Sequence, residues 1–210
     1  MLDLRPAGGS ALLATFDSLA AVIAFRAGLS ASGLPGVTEV VSGARTLLFR
    51  FDPTVTDAGR VRAALAALVA VEPAVDAVDD AEAEPVVVPV TYDGEDLDDV
   101  ARLAGLSTTE LVAWHTGQVW TSAFCGFAPG FSYLTGTSPS LDLPRRASAR
   151  TAVPSGAVAL AGEFSAVYPR TSPGGWQLIG RTDAPMWSLD RDPPALAPSG
   201  TRVRFVAVDR

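Results

Sequence analysis

The chain reads as an α+β protein in two parts, a small N-terminal α+β domain followed by a mainly-β barrel domain. Three observations predict this. Hydrophobic periodicity alternates between strand and helix spacing through the first 85 residues. Ten of the sixteen prolines crowd between Pro129 and Pro198, a density that long helices do not carry but a many-stranded barrel does. Between these regions, Glu72 to Asp99 holds eleven carboxylates and no basic residue, and its first part, Glu72 to Glu84, lacks periodicity. That part reads as a solvated connection, so the boundary falls near residue 85, giving domains of 1–85 and 86–210.

Ala11 to Phe16 is a short apolar run, and Asp17 or Ser18 can cap a following helix that carries Leu19, Val22 and Ile23. Gly28 to Gly36 reads as loop. Val37–Val41 and Thr46–Phe51 read as two strands around the Ser42–Arg45 turn, and Asp52-Pro53 ends the second. Thr56 or Asp57 then opens a helix with Val61, Leu65, Leu68 and Val69 on one face. Helices on one side of a small antiparallel sheet give a βαββαβ, ferredoxin-like order. Pro85–Thr91 is a further strand and Leu97–Leu103 a short helix. Ser107-Thr108-Thr109-Glu110 has capping-box spacing, and its helix runs through Leu111 and Trp114 to His115, stopping at Gly117. From Val119 onward, short strands alternate with Gly, Pro and Ser.

Composition excludes several chemistries. Apolar residues make up 48% and charged residues 19%, a globular balance. The net charge of −7 argues against broad affinity for nucleic acid or anionic membrane. Leu97 to Trp114 mimics a helix-turn-helix, but its second helix has no basic residue to meet phosphates. No apolar run approaches a bilayer span and no secretory leader is evident, which makes a cytoplasmic location the expectation. One cysteine (Cys125) and one histidine (His115) rule out a disulfide and a multi-histidine metal site within the chain. All sixteen basic residues are arginine. A Walker-type lysine and a Schiff base are therefore impossible, and this chain either meets phosphate through arginine and backbone amides or leaves nucleotide to a partner.

The densest chemistry lies between Cys125 and Thr182, in three blocks. They read Gly126-Phe127-Ala128-Pro129-Gly130-Phe131-Ser132-Tyr133-Leu134, Val153-Pro154-Ser155-Gly156, and Tyr168-Pro169-Arg170-Thr171-Ser172-Pro173-Gly174-Gly175-Trp176-Gln177-Leu178-Ile179-Gly180-Arg181-Thr182. Pro129-Gly130 and Pro173-Gly174 fit positions i+1 and i+2 of type II turns. Turn amides paired with Arg181 or Arg170 could hold an anion, whereas ordinary barrel corners would use the same residues. Phe127, Phe131, Tyr133, Tyr168 and Trp176 could line a pocket or fill the barrel. His115, the one side chain with an ordinary pKa near neutrality, suits proton transfer or a helix-capping role. Arg145, Arg146 and Arg150 form a basic knot suited to carboxylate or phosphate, or to an interface. Cys125 shows no partner that would activate it.

These three blocks resemble the KipI-like family, also called allophanate hydrolase subunit 1 or the B subunit of 5-oxoprolinase. The resemblance continues through Arg191-Asp192-Pro193-Pro194-Ala195-Leu196 to Arg202-Val203-Arg204-Phe205, covering residues 86 to 206 closely and the first 85 by element order. Ser132 stands where the family commonly has proline, and Ser165-Ala166 where it has Thr-Gly. The resemblance implies a cyclophilin-like barrel for residues 86–210. It implies one component of an ATP- and magnesium-dependent 5-oxoprolinase, opening 5-oxo-L-proline to L-glutamate. Its partners would be a KipA-like protein (the C subunit, or subunit 2) and the enzyme's A subunit. ATP would activate the lactam oxygen, with His115 and Arg181 as catalytic groups. Phe127, Pro129, Gly130, Phe131, Tyr133, Tyr168, Ser172, Gly174, Gly175, Trp176 and Thr182 would hold substrate or anion. Two alternatives also follow: a component acting in urea or allophanate breakdown, and a KipI-like inhibitor of a sensor histidine kinase.

Overall fold

A computed structural model describes residues 3–30, 33–69 and 84–209 of the chain. The chain divides into two compact units, Met1–Glu82 and Ala83–Arg210. The expected connection at Glu72 to Glu84 lies almost wholly outside the described residues.

In the first unit, β1 (Asp3–Pro6), β2 (Ala11–Thr15), β3 (Val37–Ser42) and β4 (Thr46–Phe51) form an antiparallel sheet in the order β1-β2-β4-β3. Helix α1 (Leu19–Ser30) connects β2 to β3, and α2 (Ala58–Val69) follows β4. Ser18 Oγ accepts the Ala21 amide at 3.2 Å and Asp57 accepts the Arg60 amide at 2.9 Å, so each helix is capped by a residue whose type favours that position. Leu12, Leu47, Phe49, Val61 and Leu65 are the buried centre. The order differs from the expected βαββαβ. Among the described residues no strand follows α2, and the edge beside β2 is taken by β1, which sequence patterning misses. β1 is short, and its burial is slight along its whole length, so it carries no hydrophobic alternation to read.

The second unit holds β5 (Val86–Val90), α3 (Leu97–Ala104), α4 (Thr108–Thr116), β6 (Trp120–Cys125), β7 (Ser132–Gly136), β8 (Arg150–Val153), β9 (Ala157–Ala161), β10 (Phe164–Val167), β11 (Ser172–Gly174), β12 (Gln177–Arg181) and β13 (Arg202–Ala207). Seven strands run in the order β12-β9-β10-β7-β6-β13-β5, antiparallel except for β13 and β5. Thr91 and Arg181 exchange backbone hydrogen bonds of 2.9 Å, joining the two outer strands and nearly closing a barrel. Closure needs Gly94 and Gly180, since a Cβ at either would overlap backbone across the seam. The capping box at Ser107 and Glu110 forms as its spacing predicts.

Strand β9 is buried on both faces. Val158 and Leu160 belong to one core, with Val88, Val90, Ile179, Val203 and Phe205, plugged by Leu111 and Trp120. The alternate residues Ala157, Ala159 and Ala161 belong to a second core with Phe131, Tyr168 and Trp176. Small alanines here let large rings lie close against the barrel. The rings of that layer come from the first and third sequence blocks, and Val153 of the second packs with them.

Candidate functional site

Phe131 is the hub of the aromatic layer. Its ring meets Phe127 at 5.1 Å, Tyr133 at 5.1 Å, Tyr168 at 5.3 Å and Trp176 at 5.5 Å between centroids, all edge to face. Tyr133 stacks on Phe124 at 4.3 Å and meets Phe164 edge-on. Such contacts are favourable beyond their buried area, so the layer is a rigid platform.

The β6–β7 turn presents one ring of this platform to solvent. Phe131 N donates to Ala128 O at 3.0 Å across Pro129 and Gly130, and Gly130 has φ 82°, which makes the expected type II turn. Just before it, Ala128 N donates to Gly126 O at 2.7 Å around Phe127, whose φ is 67°. This three-residue turn forces a bulky side chain into a region it rarely enters. Phe127 remains 59% exposed. The turn packs against Met186 and Trp187, which a Cβ at Gly130 would crowd.

Pro173-Gly174 does not form the expected turn. Ser172–Gly174 is strand β11, paired with β8 across a bulge. Glycine is required at 174 because a Cβ there would overlap the Tyr168 hydroxyl. Ser172 Oγ donates to Arg170 O at 3.4 Å, and Gly175 O accepts the Arg146 amide at 2.8 Å.

The positive charge beside the platform comes from the basic knot. Asp96, 2% exposed, accepts from Arg146, from Arg150 Nη1 and Nη2 at 2.9 Å each, and from the Leu178 amide at 2.7 Å. Burial pushes the Asp96 carboxyl up, but the Arg150 hydrogen bonds, the Leu178 amide and the two guanidinium charges outweigh it, leaving the group below its ordinary value. Gln177 Nε2 donates to Pro144 O at 3.0 Å, fixing the start of the same segment. Arg145, between these anchors, is exposed and has no carboxylate partner among the described residues. Burial raises the Tyr133 and Tyr168 hydroxyls, and the Arg145 charge opposes that rise at both. The Tyr168 oxygen also accepts the Trp176 amide.

Three expected site residues lie elsewhere. His115 is fully buried, with Nδ1 2.7 Å from Tyr92 Oη, Nε2 2.9 Å from Ser165 Oγ, and its ring stacked on Phe205 at 4.4 Å. Burial pushes its pKa down to about 3, so it stands neutral in the interior with both nitrogens occupied. Arg181 pairs bidentately with Asp93, at 2.9 Å from Nε and 2.7 Å from Nη2, so its charge is compensated at the barrel seam. Thr182 is buried, its hydroxyl accepting the Ala184 amide at 3.1 Å. The departures from the family pattern also find places. Ser165 bonds His115, and Ser132 Oγ donates to Ala197 O at 2.5 Å. Cys125 Sγ lies 3.6 Å from Ser132 Oγ.

Phe131, Tyr168 and Trp176 are buried within this layer, and Phe127 is its exposed edge. Two cavities occur elsewhere: about 270 Å³ in the first unit against Leu34, Val55 and Val61, and about 200 Å³ in the second against Trp114 and Trp120. Asp96 lies beyond the stretch that reads as a solvated connection, and nothing in the spacing separates Arg145 from its neighbours.

Residues 2–197 match the family model described as carboxyltransferase domain, subdomain C and D. The chain is 41% identical over 126 residues to a Bacillus subtilis protein named as the B subunit of 5-oxoprolinase, the match covering 59% of this chain and 52% of that protein. It thus spans about half the length of the curated relatives it matches. It is 31% identical to the solved protein TTHA0988, with a TM-score of 0.76 over 96% of this chain and 40% of that one. The Kluyveromyces lactis urea carboxylase shares the fold at 18% identity and TM-score 0.70, over 99% of this chain and 22% of that one.

Proposed function

Because the chain belongs to the carboxyltransferase domain family, subdomains C and D, we propose that it is the B subunit of an ATP-dependent 5-oxoprolinase, inactive alone and completed by a KipA-like C subunit and by the A subunit. One observation carries the site assignment: Arg145 has no carboxylate partner among the described residues, and its charge acts on both the Tyr133 and the Tyr168 hydroxyl. A guanidinium and two phenols at the edge of an aromatic layer suit a small ring bearing a carboxylate, or an anionic group developing during ring opening. In this reading Arg181 and His115 hold the barrel together, and Arg145 takes the anion-binding role.

The same end of the barrel exposes Phe127, Trp187 (41%) and Leu189 (83%), apolar side chains that a partner protein would cover. Docking there would cover the exposed edge of the platform and exclude water from it. ATP with magnesium serves the assembled enzyme. Among the described residues no cluster of three or more His, Cys, Asp or Glu could hold a metal ion, so this chain's own contribution toward phosphate is arginine and turn amides. A cytoplasmic location fits this role, and no helix among the described residues is long and apolar enough to cross a membrane.

Reconstitution tests the reading. The three purified components together should release glutamate from 5-oxo-L-proline with ATP, and omission of this chain should abolish it. Release of ammonia from allophanate or urea instead, or undiminished glutamate release without this chain, would overturn it.

A further inference from the structure

The 200 Å³ cavity of the second unit lies at the opposite end of β6 and β7 from the Phe127 turn, against Trp120, Thr135 and Gly136. Its aromatic wall is Trp114 set edge-to-face on Trp120, with centroids 5.5 Å apart and planes at 86°. Trp120 is fixed by its own Nε1 donating to His115 O at 2.9 Å. The opening is held by buried Gln118, whose Nε2 donates to Trp114 O at 3.0 Å and whose Oε1 accepts the Ser138 amide at 3.0 Å. That strut ties the end of α4 to the loop after β7. It needs Gly136, where a Cβ would overlap the Gln118 amide.

The one charged side chain that lines this mouth is acidic. Glu163, at the tip of the β9–β10 hairpin, lines the cavity and has no arginine partner among the described residues. Trp114, half-buried, adds an indole to the lining. No arginine lines the cavity, and hydroxyls of Thr135, Ser138 and Ser140 supply acceptors around the rim. The charge of this lining is negative, which favours a cation over an anion. We propose that this cavity binds a small organic cation of the alkylammonium class, with the cation against Trp114 and its charge balanced by Glu163.

Calorimetric titration of the full chain with choline, in parallel with its neutral isostere 3,3-dimethyl-1-butanol, tests this without reference to enzymatic activity. Choline should bind at a single site, about tenfold or more tighter than the isostere. Glu163→Gln, at an exposed position that leaves folding intact, should weaken choline by about fivefold. Trp114→Ala should abolish binding. Equal affinity for the neutral isostere, undiminished choline affinity in Glu163→Gln, or no saturable heat with choline would overturn the assignment. Because only binding to this chain is measured, failure here is distinct from failure of the 5-oxoprolinase reading.

Discussion

Phe127 holds a backbone conformation, φ 67°, that glycine adopts freely and phenylalanine does not. Its ring touches Phe131 and Tyr168 from the solvent side, so the strain is offset by an aromatic edge exposed on the platform. Phe127→Gly and Phe127→Ala both remove the ring, but only glycine relieves the backbone. The glycine variant should therefore be more stable than the alanine variant by about 1 kcal/mol in urea unfolding. Both should slow the assembled enzyme alike. Equal stabilities would show that the turn carries no strain. His115 makes a prediction of its own through pH. Its folded pKa is about 3 against an ordinary 6.5, so the unfolded chain takes up a proton that the folded one refuses. Its contribution is present above pH 6.5 and is lost as pH falls toward 3, at about 1.4 kcal/mol per pH unit. Unfolding free energies at pH 7 and pH 5 should show this slope in the wild type and lose it in His115→Gln.

At the scale of elements, Asp96 fastens the Pro144–Arg150 segment to the barrel through two arginines and the first strand residue after Gln177. Asp96→Asn leaves two guanidiniums near an uncharged amide in a largely buried place. It should cost about 3 kcal/mol in denaturant unfolding, and a loss under 1 kcal/mol would contradict the anchoring role. The Asp96 carboxyl sits below its ordinary 3.8, so its stabilisation is present above that pH and lost below it, a window lower than that of His115. Much at this scale is legible in sequence. The Ser107–Glu110 box, the Pro129-Gly130 turn and the β3–β4 hairpin follow from local chemistry that tertiary contacts leave alone. Pro173-Gly174 does not, because its glycine answers a ring packed across from another strand, a fact with no local signature. His115 and Arg181 stand out in sequence for their chemistry in isolation. Burial against Phe205 and pairing with Asp93 redirect both, and neither partner is near in sequence. Arg145 becomes distinguishable only once the partners of its neighbours are known.

The whole molecule is two compact units, and the second contains the platform, the seam, the Asp96 anchor and the cation cavity entire. Its cores are built from its own strands and helices. A fragment of residues 84–210 should therefore unfold cooperatively, and a broad, non-cooperative melt would show that the first unit is needed to complete it. Of the platform rings only Phe127 is largely exposed, and it is the edge that a partner would cover. The most direct test is the rate of ATP-dependent glutamate release from 5-oxo-L-proline by the reconstituted complex carrying Arg145→Ala, with association of the components checked in the same preparation. An anion-binding Arg145 predicts an intact complex slowed by about 10- to 100-fold. An intact complex working at the wild-type rate would contradict that role.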